Sequence, residues 1–213
     1  MLCTCPPASE PGDISFATCF EDFGEIQRFW GQRVYSSGTT RNGFVISTND
    51  PADLAEWSTL FAASDSTKVV QFPYTENIQL TASEARTVGG GGESLGGTTI
   101  VKGSTPTGLG GMFYEIPQYI AYQIKQWQCE VMGVYLINEY GQIGGLGDKV
   151  DGTAIANFYP IPVARRTFFT GDKQFGLYEG RDGNAFSFMF LPNWSDYFAI
   201  VTPSDFDPRL NLS

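Results

Sequence analysis

Val131-Met-Gly-Val-Tyr-Leu-Ile-Asn138, then Glu139-Tyr-Gly141, then Gln142-Ile143, reads as two strands joined by a tight turn. The first segment is rich in β-branched and aromatic residues, which fit a pleated surface. The text on either side repeats this pattern. Downstream, residues 154–159, 163–169, 184–191 and 198–201 read as further strands, and Phe186-Ser-Phe-Met-Phe190 alternates in the manner of a half-buried strand. Gly-Asp-Lys occurs at 147–149 and again at 171–173, in both places an ordinary choice for a hairpin turn.

Upstream, Glu115-Ile-Pro117 opens a helix whose Ile120, Ile124 and Trp127 form one stripe, with Ala121 beside it. An earlier helix is predicted from Asn49-Asp50-Pro51, with Asp50 as N-cap and Pro51 as first helical residue. Leu54, Trp57, Leu60 and Phe61 carry it to about Ala63. Residues 14–20, 33–36, 44–47 and 68–72 read as strands, and Asn42-Gly43 is a hairpin signal between the second and third of these. Residues 81–111 hold Gly89-Gly-Gly-Gly92, Gly96-Gly97 and Gly108 to Gly111, and read as a long loop with one short strand at 98–101. Residues 1–12 are polar and Pro-rich and read as an extended arm. The expected fold is therefore mainly β (α+β). It is an antiparallel β-sandwich or barrel with two flanking helices and a long Gly-rich loop. It forms a single domain over 13–213 behind an arm at 1–12.

The chain has 213 residues, 17 Phe, 10 Tyr and 25 Gly, enough apolar material for a real core without staples. Its net charge of −10 disfavours general nucleic-acid binding. The nearest thing to a basic run is Arg165-Arg166, which reads as two solvated arginines or one ion pair. No apolar run approaches the ~20 residues of a membrane span. The Met1-Leu-Cys-Thr-Cys-Pro-Pro start has no signal-peptide pattern, so synthesis in the cytoplasm without export is expected. Cys3, Cys5, Cys19 and Cys129 then read as thiols. A zinc set built from them lacks the usual paired spacing.

There is no histidine, which removes Ser-His-Asp and Cys-His triads and His metal ligands. Glu179, Asp182 and Asn184 lie close together, as do Asp205 and Asp207, but Gly180-Arg-Asp-Gly183 is turn chemistry. Asp148-Lys-Val-Asp151-Gly152 lacks the ligand pattern of a calcium loop. Neither Gly89 to Gly97 nor Gly144-Gly-Leu-Gly-Asp-Lys149 leads into the helix that a phosphate loop needs. No catalytic, cofactor-binding or metal residues are expected, and no enzyme. The residues expected to matter lie instead in the two segments a monomer would struggle to order. These are Pro6 and Pro7 in the arm, and Gly89, Gly90, Gly91, Gly92, Glu93 and Leu95 in the Gly-rich stretch. They are candidate subunit contacts.

Three stretches carry a family resemblance. They are Phe168-Phe-Thr-Gly-Asp-Lys-Gln-Phe-Gly176, Asn193-Trp-Ser-Asp196 with Thr202-Pro-Ser-Asp-Phe-Asp-Pro208, and Val134-Tyr-Leu-Ile-Asn-Glu-Tyr-Gly-Gln-Ile143. In style and order they resemble tail-tube and related ring-forming virion proteins of tailed bacteriophages. The resemblance implies a β-sandwich or barrel flanked by a helix, self-association into hexameric rings, and stacking around a channel. DNA would pass through that channel without specific binding, and a long loop and a terminal arm would touch neighbouring subunits and other virion proteins. A receptor- or glycan-binding fibre or capsid-decoration sandwich is the alternative, with Trp194 as its expected platform. A carboxylate hydrolase using Asp182 is the third.

Overall fold

The computed structural model describes residues 22–90, 97–149, 154–175 and 180–212. The first elements along the chain are β1 (Ile26–Arg33), β2 (Tyr35–Ser37), β3 (Thr40–Arg41), β4 (Phe44–Val45), α1 (Leu54–Ala62), β5 (Val69–Gln71) and β6 (Glu76–Thr81). Then come β7 (Ala85–Gly89), β8 (Thr99–Ser104), β9 (Thr107–Tyr114), α2 (Gln118–Gln126), β10 (Met132–Asn138) and β11 (Ile143–Leu146). The last are β12 (Asn157–Phe158), β13 (Ile161–Pro162), β14 (Phe169–Gln174), β15 (Gly183–Phe190) and β16 (Phe198–Val201). The chain divides into two compact units. One comprises Phe23–Ala82 with Pro106–Ser213, and the other is built on Ser83–Thr105.

The larger unit holds two antiparallel sheets. One runs β16-β11-β10-β1-β5 with β13 also on β10, and the other runs β14-β15-β9-β6. They pack face to face as a sandwich, and among the described residues no barrel closes. Phe29 of β1 reaches across to Phe186 at 5.4 Å and Phe188 at 5.5 Å, and Phe186 stacks on Phe113 at 4.4 Å. Val134 and Leu136 from β10 and Leu109 from β9 complete this layer. Alternate residues of the first sheet point the other way. Trp30, Tyr135, Ile137 and Ile143 meet Trp57 of α1 together with Phe44 and Phe158 of the small β4–β12 pair. β10 is thus covered on both faces and all seven of its residues are buried. This is why 131–138 is a continuous apolar run rather than an alternating one.

The β10–β11 turn is held by Asn138. Its Oδ1 accepts from the N–H of Tyr140 (3.1 Å) and of Gln142 (2.7 Å), and its Nδ2 donates to Gln142 Oε1 (2.9 Å). In β11 the glycines read earlier as a poor phosphate loop have a packing reason. A Cβ on Gly145 would sit 2.5 Å from the Phe158 ring, so only glycine lets that ring lie on the strand.

Several local expectations change. α1 begins at Leu54, not Pro51. Asp50 instead forms a turn, accepting from Ala52 N (2.9 Å), and Pro51 O accepts from Trp57 Nε1 (2.7 Å). The helix start is covered in trans, because Asp205 Oδ1 accepts from Leu54 N at 2.9 Å. The Asn42-Gly43 hairpin is displaced. The turn falls between β2 and β3, and Gly43 (φ 154°) lets β4 leave to pair with β12. Asn42 is buried and donates to Arg33 O and Ser66 O. Gly171-Asp-Lys173 lies inside β14, at an irregularity in its pairing, rather than in a turn. The strand expected at 163–169 is broken by Arg166 in the left-handed region (φ 62°). Residues 81–111 are not a long loop, since they carry the end of β6, both strands of the β7–β8 pair and the start of β9. The arm at 1–12 and the strand expected at 14–20 lie outside the described residues. Among those described, no helix is long and apolar enough to cross a membrane.

Candidate functional site

The smaller unit is built on one hairpin. β7 and β8 pair from Ala85↔Ser104 to Gly89↔Thr99, with a register shift after Arg86 that leaves Lys102 unpaired in the ladder. The base is fastened twice at 2.8 Å: Thr105 N donates to Glu84 O, and Glu84 N donates to Thr105 Oγ1. Val88 sits opposite Ile100, and Thr87 opposite Val101, one register step apart. Side chains alternate along a strand, so these two pairs occupy opposite faces. Val88 is 52% exposed, Ile100 58% and Val101 63%. Both faces of the hairpin therefore present β-branched side chains to solvent. A lone two-stranded hairpin is marginal in water. Covering these three half-exposed side chains would contribute roughly 3 kcal/mol.

Of the candidate contact residues, Gly89 closes β7 opposite Thr99 and Gly90 follows it. Their φ angles of 95° and 108° are conformations that glycine supplies without strain. Pro6, Pro7, Gly91, Gly92, Glu93 and Leu95 lie outside the described residues. The side chains Val88, Ile100 and Val101 were missed as contact candidates. Their signal was present: two β-branched pairs, Thr87-Val88 and Ile100-Val101, flank the glycines.

The carboxylates considered for chemistry have structural partners. Asp205 covers the start of α1. Asp207 receives Arg209 Nε at 2.9 Å and another guanidinium N–H at 2.7 Å, bonds that hold its carboxyl below the usual carboxylate range. Asp148 accepts from Asn157 Nδ2 and Ala156 N, both at 2.9 Å, with the same downward effect, led by Asn157. Asp182 lies 3.7 Å from Lys173, and its carbonyl accepts from Glu115 N. Asn184 donates to Gly171 O. Glu179 and Asp151 lie outside the described residues. Among those described, no group of three or more His, Cys, Asp or Glu could hold a metal ion. Cys129 is exposed and free, and Cys3, Cys5 and Cys19 lie outside the described residues.

Trp194 is not an open platform. Its ring is 4.6 Å from Phe190 and 5.7 Å from Phe198, and it packs against the sandwich core. The α2 stripe does pack inward: Ile124 is buried, with Ile120 and Trp127 beside the core. No family model matches the chain, and no curated protein matches it.

Proposed function

We propose that this chain is a structural, non-catalytic subunit that assembles with copies of itself. The kind is that of the ring- or tube-forming proteins of tailed-phage virions, with DNA passing through without specific binding. The observation that carries the reading is the β7–β8 hairpin, which displays Val88 and Ile100 on one face and Val101 on the other. A strand pair whose apolar side chains find no cover among the described residues gains stability when a neighbour supplies it. The net charge of −10 supports the second half of the reading, since a negative surface does not retain passing phosphate. The antiparallel sandwich with its flanking helices is also of the general kind that the resemblance implies.

The test is assembly. Purified full-length protein should form rings or filaments as its concentration rises, visible by negative-stain electron microscopy and by sedimentation velocity. A variant with residues 84–105 replaced by a short Gly-Ser linker should keep its far-ultraviolet circular dichroism and remain monomeric. A full-length protein that stays monomeric at high concentration would overturn the proposal.

A further inference from the structure

A cavity of about 520 Å³ lies between α2 and residues 70–76 of the sandwich unit. Phe72, Ile116, Ile120 and Trp127 make much of its wall, and Arg28 forms part of it. The volume and the mostly apolar lining are those of a small-molecule site.

Arg28 is the unusual member. It is only 1% exposed, yet among the described residues it has no carboxylate partner. One guanidinium N–H donates to Phe72 O at 2.9 Å. The other nitrogen reaches Arg209 O at 3.1 Å, Leu210 O at 3.0 Å and Asn211 Oδ1 at 3.3 Å. Among the described residues its Nε has no hydrogen-bond partner. Every acceptor is neutral, and the Tyr74 ring, 4.8 Å from Cζ, adds only its π face. A guanidinium taken out of water without an anion forgoes the attraction that normally offsets desolvation.

The cavity's other cation is differently placed. Arg181 is pinned to Glu76 at 2.6 Å and Glu115 at 3.1 Å. Glu115 holds the left-handed conformation (φ 56°). That rim sets one positive charge against two negative ones, and Glu76 itself lines the cavity, so a second negative charge on a ligand would be repelled.

We propose that this cavity binds an amphiphilic monocarboxylate. Its aliphatic or aromatic body lies along Ile116, Ile120 and Trp127, and its single negative charge answers Arg28. An uncharged amphiphile would leave Arg28 as it is, and a small inorganic anion would leave the apolar wall wet. The proposal stands apart from the assembly reading, since the cavity belongs to one copy of the chain.

The experiment is isothermal titration calorimetry of the whole protein with decanoate, decanol and decyltrimethylammonium, each below its aggregation limit. Decanoate should bind saturably and at least roughly tenfold more tightly than decanol, a gap of about 1.4 kcal/mol, and the cation should not bind. Ile120→Trp, which fills the cavity from a partly exposed helix position, should abolish decanoate binding while leaving circular dichroism unchanged. Arg28→Met should erase the preference for decanoate over decanol. Because Arg28 also grips residues 209–211, that variant counts only where its dichroism is intact, and Ile120→Trp decides otherwise. Absence of decanoate binding up to about 1 mM would overturn the proposal, as would equal affinity for decanol or undiminished binding by Ile120→Trp.

Discussion

Val134 and Val88 are the same side chain in the same kind of element, an antiparallel strand. Val134 is fully buried, whereas Val88 is half exposed. The difference is not strand propensity. β10 has a layer on each side, the second sheet below and α1 with the β4–β12 pair above. The β7–β8 hairpin has two strands and displays apolar residues on both faces. Strand formation is thus a local property of the chain, while burial requires a further layer.

Substitutions in the two regions should separate accordingly. Trp57→Ala removes the ring that meets Trp30 at 4.8 Å and Tyr135 at 5.0 Å, and should lower unfolding free energy by about 3–5 kcal/mol in urea titrations. Ile100→Ala in the hairpin should change the same quantity by no more than about 0.5 kcal/mol while raising the concentration needed for assembly. Comparable destabilisation by the two would break the comparison. Gly145→Ala drives a methyl group toward the Phe158 ring and should destabilise the sandwich by about 1–3 kcal/mol. Asp205→Ala removes the remote cover from the start of α1 and should lose about 1 kcal/mol, read as a shift in thermal midpoint.

The smallest effect expected is one of acidity. Arg209 depresses the pKa of Asp207 in the folded protein. Its contribution is therefore fully present above the unfolded value of about 3.9 and is lost as pH falls through the folded value. Asp207→Asn should flatten the pH dependence of stability below about pH 4 and leave it unchanged near neutrality, as acid titrations of both proteins would show.

Much of the sandwich was legible because its strands carry their own signatures. The run ending at Asn138 announces a strand of a hairpin, the alternation of Phe186, Phe188 and Phe190 a half-buried strand, and 198–201 is β16 residue for residue. Errors fell where distant partners decide. Asp50 has the residue type of an N-cap, but the group that meets Leu54 N comes from position 205. Asn42-Gly43 has the text of a hairpin turn, but the approach of Gly43 to Phe158 sends the chain to β12 instead. The hairpin was hidden because its glycines dominate the composition of 81–111, while the pairing signal rests on a few β-branched residues. Arg28 gave no sign at all. A lone arginine in a strand reads as solvated, and only the fold shows its guanidinium to be enclosed.

The grip of Arg28 on residues 209–211 also has a meaning in time. Its acceptor at Leu210 lies 182 positions further along the chain. At ribosomal speeds of about 5–20 residues per second, roughly 10 to 40 seconds separate the synthesis of donor and acceptor. Within that interval β5, the Phe72 carbonyl and then β10 become available to β1, but the carbonyls of Arg209 and Leu210 do not. The guanidinium of the first strand is therefore short of its full set of acceptors until the last segment of the sandwich arrives.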